Sequence, residues 1–249
     1  MTTSTHICLS FADRTYRLRP YCDAVSPTTR PSAIAFAALL GALSGSVDVL
    51  VFTRLGEVFA SVITGNVVVV GVAIGGGHLG VMSHAAISVG CYAIGVVVAT
   101  LMTRRDDEHP VHGAANPVIA VYGIEFALLC GLGAIWVATD GRPTGIAQFV
   151  ALALTAAAMG MQSRAFAMYR LPGVTTTYFT GTLTNLLTGL VTDSTVNRAA
   201  AVALMSLLVG AAASGALVSV LPIAAPALPL GLLAAALAMI AVRRYRHTT

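Results

Sequence analysis

Between residues 33 and 242 the sequence consists of apolar runs of membrane-spanning length, separated by short polar segments. A helix needs about 20 mostly apolar residues to cross the hydrocarbon core of a bilayer. Only 10% of the residues are charged, whereas soluble domains usually contain about 25%. The sequence therefore predicts an all-α, polytopic transmembrane helix bundle of about seven or eight spans. The predicted spans are 33–51, 58–77, 81–102, 117–138, 145–167, 174–191, 199–220 and 224–242.

One of these apolar runs contains three polar or small residues in its middle, Thr64, Gly65 and Asn66. Shifting the chain by 116 positions places Thr64 on Thr180 and Gly65 on Gly181. A motif that returns in a second apolar run at the same relative position indicates an internal repeat.

The chain is accordingly divided into two predicted transmembrane repeats, 33–138 and 146–242, joined by a linker at 139–145. Residues 1–32 are predicted to form a polar, loosely ordered tail, and residues 243–249 form a basic one. Because each repeat would contain four spans, both are predicted to have the same orientation, with a symmetry axis along the membrane normal.

The arginines predict how the chain is oriented in the membrane, since cytoplasmic segments carry an excess of Lys and Arg. Eight spans would place both termini on one side, with nine of the 14 arginines. We therefore expect the N-terminus and the C-terminus to be cytoplasmic. The nine are Arg14, Arg17, Arg19, Arg30, Arg142, Arg198, Arg243, Arg244 and Arg246.

The paired Thr-Gly motifs allow two interpretations. Glycine weakens a helix, so both spans could be broken there, and their backbone N–H and C=O groups would face a central cavity. Alternatively, glycine permits close helix packing, and the threonine hydroxyls bond to their own helix or to a neighbour. Both interpretations predict that the motifs face the interior of the bundle. In the sixth span the polar and small residues recur at intervals of three and four, which predicts one inward-facing stripe. The stripe consists of Thr177, Thr180, Gly181, Thr184 and Thr188.

Two ionisable residues within the spans are candidates for function, because a charge inside a membrane is costly. Asp48 in the first span falls on Arg164 in the fifth when the repeats are aligned, so the two are predicted partners. Their role could be an ion pair, outward-reaching charges at the interface, or the binding of a substrate or proton. Glu125, well inside the fourth span, is either a packing carboxyl or a proton-coupling candidate.

Signatures of other classes of protein are missing from the sequence. No HExxH, GxSxG or phosphate-binding loop motif occurs, so we expect no enzymatic activity, no metal and no cofactor. The four cysteines show no CxxC spacing and are interpreted as packing residues. The basic residues flank predicted spans, which indicates membrane topology rather than binding to nucleic acid.

Several short motifs follow one another along the chain: Gly45-x-x-Asp48, Gly56-x-Val58-Phe59, Thr64-Gly65-Asn66, Gln162, Thr176-Thr177 and Thr180-Gly181-Thr182-Leu183-Thr184. In these motifs the chain resembles the YoaK family of bacterial integral membrane proteins, also called domain of unknown function 1275. The resemblance covers about residues 33–242 and implies a protein of the bacterial plasma membrane. It does not imply a substrate, since no biochemical activity is established for the family.

These observations together predict a secondary transporter or permease for a small polar or anionic solute, with the site between the two repeats. The alternative is a membrane scaffold, or a regulatory or assembly subunit, that does not transport. Expected partners are the lipid bilayer and the solute, and a homo-oligomer is compatible with either function. The predicted solute-binding residues are Asp48, Thr64, Gly65, Asn66, Gln162, Arg164, Thr177, Thr180, Gly181, Thr182 and Thr184, with Glu125 as the proton-coupling candidate.

Overall fold

A computed structural model describes residues 31–77, 79–108, 116–168, 179–192 and 196–248. Within these ranges the chain is all-α, as predicted, with eight α-helices and one short 3₁₀ turn at Pro222–Ala224. The helices are α1 (Pro31–Arg54), α2 (Ile63–Gly76), α3 (Leu79–Glu108), α4 (Asn116–Ala138), α5 (Gly145–Ala167), α6 (Phe179–Thr192), α7 (Arg198–Val220) and α8 (Ala227–Thr248).

Six of the described helices are long and apolar enough to cross a membrane, namely α1, α3, α4, α5, α7 and α8. Helix α2 contains only 14 residues, or about 21 Å, which is short of the hydrocarbon thickness of about 30 Å. The described part of α6 also contains 14 residues. Six candidate spans in the described residues are fewer than the predicted seven or eight. The apolar run at 58–77 is long enough to cross, but its first residues are not helical.

Contacts at both ends of α1 and α5 show that these two helices are antiparallel. Near the start of α1, the ring of Phe36 stacks on that of Phe166, close to the end of α5, with centroids 6.5 Å apart. Near the end of α1, the backbone oxygen of Arg54 accepts a hydrogen bond of 3.1 Å from Nε2 of Gln148, close to the start of α5. These are the first helices of the two predicted repeats, so repeats of the same orientation are inconsistent with the structure.

Similar contacts give the directions of α4 and α8. Helix α4 begins at the same end as α1, where Tyr122 packs edge-on against Phe36. It ends near the start of α8, where Nε1 of Trp136 donates a 2.7 Å hydrogen bond to the oxygen of Pro222. Helix α1 therefore begins on the face where α8 ends, which we call the terminal face. The opposite face, where α1 ends at Arg54, is called the Arg54 face.

Glycines allow two pairs of parallel helices to approach closely. A Cβ atom on Gly45 of α1 would collide with the backbone oxygen of Leu207 on α7. A Cβ atom on Gly160 of α5 would collide in the same way with the oxygen of Tyr92 on α3. Small residues at such contacts let helix backbones pack closely in lipid, where apolar burial alone supplies little drive for association.

Candidate solute site

The chain reverses direction directly after α1, at Gly56 and Glu57. Both residues have positive φ angles, of 109° and 56°, a conformation that glycine adopts without steric cost. The ring of His84 on α3 packs so closely against Gly56 that it would collide with a Cβ atom there. The turn directs the following residues, 58–62, back into the bundle instead of away from it.

Asp48 anchors this returning strand of chain. One oxygen of its carboxylate accepts hydrogen bonds from the backbone N–H groups of Ala60 and Ser61, at 2.8 and 2.9 Å. The other oxygen accepts the hydroxyl of Ser61. Asp48 lies six residues before the end of α1, or about 9 Å along the helix axis. The non-helical backbone therefore penetrates the bundle to at least that depth, and the partner of Asp48 is this loop rather than the predicted Arg164.

Asn66 fixes the same loop from the other side. Its side-chain oxygen accepts the N–H of Phe59 at 2.9 Å, and its amide nitrogen donates to the oxygen of Phe59 at 2.6 Å. The same nitrogen donates to the hydroxyl of Ser88 on α3 at 2.9 Å, and that hydroxyl donates to Phe59. These bonds satisfy backbone groups of Phe59 that would otherwise be costly to bury in the bundle.

The contact between Asn66 and Ser88 also determines the direction of α2. Asn66 lies three residues into α2 and Ser88 lies nine residues into α3, while only two residues separate the two helices in the sequence. Helix α2 is therefore antiparallel to α3, which begins on the Arg54 face because His84 packs there against Gly56. Residues 55–76 consequently enter the bundle and leave it on the same face, and we call them the re-entrant segment.

The predicted motif residues lie at the inner end of this segment, in the first turn of α2. Thr64 is exposed, Gly65 is half-buried, and no side chain caps the helix N-terminus. The break in helical structure precedes Ile63, so it lies two residues before Gly65 rather than at it. A Cβ atom on Gly65 would meet only ordinary contacts of 3.6 Å or more. Neither interpretation fits this motif in full, because the break lies before the glycine and the glycine makes no close helix contact.

The second motif lies in the first turn of α6. Thr182 is buried, but Thr180, Gly181, Thr184 and Thr188 are all exposed. The inward face of α6 instead carries Phe179, Thr182, Leu186 and Gly189, which are buried or half-buried. The predicted inward orientation of the threonine stripe is therefore wrong for its described members, because the buried positions fall on another face of the helix. Thr176 and Thr177 lie outside the described residues.

Gln162 and Arg164 lie on α5, away from the re-entrant segment. Gln162 is fully buried, and its amide nitrogen donates to the hydroxyl of Ser44 at 2.9 Å and to the oxygen of Leu40 at 3.4 Å. Arg164 is half-buried near the end of α5, toward the terminal face. The structure thus brings Asp48, Thr64, Gly65 and Asn66 together, but places Gln162 and Arg164 in the other half of the bundle.

Glu125 is fully buried on α4. It shares one face of the helix with Tyr122, Leu129 and Leu132, which are also buried. Its carboxyl oxygens have no hydrogen-bond donor among the residues that the structure describes. This carboxyl either carries a proton or pairs with a cation that enters the protein, since an uncompensated charge is costly to bury.

Sequence reasoning missed Ser61 and Ser88, which complete the anchoring of the re-entrant segment. Both are isolated serines in apolar surroundings, and nothing in the local sequence distinguishes them from serines that bond to their own helix.

The surface has two apolar hollows. One, of about 240 Å³, lies beside α2 and α3, and the other, of about 270 Å³, lies beside α4 and α8. Neither is lined by any predicted site residue.

Comparison with known proteins identifies relatives. A family described as "Protein of unknown function (DUF1275)" matches residues 36–240. The chain is similar to the UPF0700 transmembrane protein YoaK of Bacillus subtilis (strain 168), with 28% identity over 150 residues. That match covers 60% of this chain and 63% of the relative. No solved structure matches.

Proposed function

The chain belongs to the DUF1275 family, and we propose that it moves a small polar solute across the membrane between two inverted halves. The observation that carries this proposal is the re-entrant segment. Non-helical backbone within a membrane protein is tolerated where it is buried in protein or lines a hydrated cavity. Broken spans whose helix ends point at a central site are characteristic of secondary transporters.

The proposed halves are repeats of opposite orientation. The 116-residue shift that aligns the Thr-Gly motifs also maps α2, Ile63–Gly76, onto the described residues of α6, Phe179–Thr192. The close contact of Gly45 with α7 has a counterpart, at a shift of 115 residues, in the contact of Gly160 with α3. With three candidate spans in each half, the second half would be inverted relative to the first, and the antiparallel arrangement of α1 and α5 supports this.

The inner end of α2 supplies the proposed binding groups. The N-terminus of a helix carries a partial positive charge and free N–H groups, and here it is accompanied by the exposed hydroxyl of Thr64. The Asp48 carboxylate already accepts N–H groups of the preceding loop, which reduces the attraction for an anion. We therefore favour an uncharged polar solute over an anionic one. Thr180, Gly181 and Thr182 would provide the equivalent groups in the second half.

The proposed orientation places both termini in the cytoplasm. Nine arginines lie in the described ranges, and the helix directions put seven of them at the terminal face. Only two, Arg54 and Arg142, lie at the Arg54 face. This asymmetry supports a cytoplasmic terminal face. The seven are Arg104, Arg105, Arg164, Arg198, Arg243, Arg244 and Arg246.

The proposed activity moves the solute without altering it, so no residue is assigned a catalytic role. The direction of transport would follow the gradient of the solute or of a coupled ion, because the sequence contains no phosphate-binding loop.

Single cysteines test the proposed pathway, in a background where the four native cysteines are replaced. We expect Thr64→Cys to react with a small water-soluble thiol reagent in membranes, because its position would face a hydrated site. Val72→Cys, on the same helix and also exposed, is the matched control and should stay unlabelled because it faces lipid. Equal protection of both cysteines would contradict a hydrated pathway at α2.

One observation favours the alternative function of a non-transporting assembly subunit. The exposed face of α6 carries Thr180, Thr184, Asn185 and Thr188, and polar and small residues promote contacts between helices in lipid. This face could bind another membrane protein. Cross-linking through Thr184→Cys to a different protein, together with protection of Thr64→Cys, would support that function instead.

A further inference from the structure

Two buried side chains on neighbouring helices present oxygens that lack a donor. Among the residues that the structure describes, no hydrogen-bond donor reaches either carboxyl oxygen of Glu125 or the side-chain oxygen of Gln162. Both residues have no exposed surface. Leaving a buried acceptor unsatisfied is costly, so three acceptors of this kind in one region of the bundle require a physical reason.

The contacts of Phe36 place these residues at the same height in the bundle. The ring of Phe36 packs against Tyr122 on α4 and against Phe166 on α5, so those two rings share one level. Glu125 lies three residues from Tyr122 and Gln162 lies four residues from Phe166, which is about 4.5 and 6 Å. Because α4 and α5 are antiparallel, Glu125 is displaced from Tyr122 toward the Arg54 face, and Gln162 is displaced from Phe166 in the same direction. Glu125 and Gln162 are therefore level to within one helical turn, on helices that pack against each other.

The orientation of the Gln162 amide is fixed by α1. Its nitrogen must face the oxygen of Leu40, since a backbone carbonyl can only accept a hydrogen bond, and it also donates to Ser44. The amide oxygen consequently points away from those two groups. It accepts no hydrogen bond from the described residues, and only a donor can satisfy it.

We propose that Glu125 and Gln162 form a proton-binding site inside the bundle. A proton from hydronium in water forms the O–H bond of the Glu125 carboxyl and leaves a neutral water molecule behind. The new O–H group then donates to the side-chain oxygen of Gln162. A single proton thereby neutralises the buried carboxyl and provides a donor for Gln162.

A metal cation fits these residues less well. Hard cations such as Ca²⁺ and Mg²⁺ require about six or more oxygen ligands, and the described residues contain no cluster of three acidic, histidine or cysteine side chains. The ionisable residues on the helices packed against α4 lie on α1, α3 and α5, while residues 227–242 of α8 contain none. They are Asp48 and Arg54 on α1, His84, Cys91, Tyr92, Arg104, Arg105, Asp106, Asp107 and Glu108 on α3, and Arg164 on α5. Two of these groups lie near the level of the site: Arg164 is two residues from Gln162, and Tyr92 contacts Gly160, which is also two residues from Gln162.

Infrared difference spectroscopy of the purified full chain in lipid nanodiscs tests the proposal. Spectra recorded between high and low pH should contain a carbonyl band of a protonated carboxylic acid that shifts in deuterated water. The band should be lost in Glu125→Gln, which preserves the size and neutral form of the side chain. Glu125→Asp keeps the acid and should move the band without removing it, so the assignment does not depend on a single variant.

Gln162→Leu tests the proposed hydrogen bond, and Gln148→Leu is the matched control. Gln148 lies on the same helix but bonds to the oxygen of Arg54. We expect Gln162→Leu to shift the Glu125 band and Gln148→Leu to leave it unchanged. An identical band in wild type and Glu125→Gln would overturn the proposal. A sodium-specific rise in melting temperature, relative to choline, that disappears in Glu125→Gln would overturn it in favour of a sodium site.

The outcome is independent of the proposed transport, because the spectra are recorded without solute. A protonated Glu125 together with a protected Thr64→Cys would leave the proton site standing and remove the solute pathway.

Discussion

At the scale of residues, Asp48 shows how a charge in a spanning helix can be used for structure. Its carboxylate accepts three hydrogen bonds, all from Ala60 and Ser61. Hydrogen bonds to charged groups contribute more to stability than bonds between neutral groups, about 1.5–3 kcal/mol each. The carboxylate therefore compensates the loss of helical hydrogen bonding in the loop that precedes α2.

Replacement of this carboxylate should destabilise the protein. Asn in place of Asp48 has one acceptor oxygen and an amide nitrogen that cannot accept from Ser61, so at least one buried donor loses its partner. We expect Asp48→Asn to lower the free energy of unfolding by about 1–3 kcal/mol, seen as a lower melting temperature in detergent. Glu57→Gln, an exposed acid in the same loop, is the matched control and should melt as wild type does. Equal melting of wild type and Asp48→Asn would show that these bonds do not anchor the loop.

The importance of Asp48 and Asn66 could be predicted from their position in apolar runs, but their partners could not. A carboxylate in a span indicates a compensating group without identifying it. The repeat alignment suggested Arg164, whereas the actual partner is a loop 12 and 13 residues further along the chain. The prediction that Thr180 and Thr184 face inward is wrong for a different reason. A polar helix face does not by itself indicate whether it turns toward the interior of the bundle.

At the scale of elements, the re-entrant segment explains why the sequence overestimates the number of spans. Residues 58–77 are apolar enough to cross as one helix, and hydropathy alone cannot distinguish a crossing helix from an extended strand followed by a short one. The distinction depends on the tertiary hydrogen bonds that Asp48, Asn66 and Ser88 make with residues 59–61. The six remaining spans and the all-α class follow directly from the apolar periodicity.

Close helix contacts at glycine also belong to this scale. Gly45→Ala and Gly160→Ala should each destabilise the protein by about 1–3 kcal/mol, because the added methyl group would collide with a backbone oxygen of the facing helix. Gly90→Ala on α3 has no neighbour within 4 Å at its added carbon and should be neutral or stabilising, since alanine favours helix. Thermal unfolding in detergent measures all three. Similar losses for Gly45 and Gly160 would support equivalent roles in two repeats, while a neutral Gly45→Ala would contradict the close packing of α1 and α7.

At the scale of the whole molecule, the direction of each half depends on whether α2 crosses. If α2 spans the membrane, each half has four crossings and the repeats are parallel. If it returns to the Arg54 face, each half has three crossings and the repeats are inverted. The sequence revealed the repeated motif but not this choice, because an even number of spans puts both termini on one side in either arrangement.

The position of Gly80 in intact cells distinguishes the two arrangements most directly. This exposed residue lies in the first turn of α3, just after α2, and is replaced by a single cysteine in a background without native cysteines. Thr144→Cys on the Arg54 face and Val196→Cys before α7 serve as controls for the two sides of the membrane. The re-entrant account predicts that a membrane-impermeant thiol reagent labels Gly80→Cys from outside, as it labels Thr144→Cys. Labelling of Gly80→Cys only after permeabilisation, together with Val196→Cys, would show that α2 crosses the membrane and would contradict the inverted arrangement.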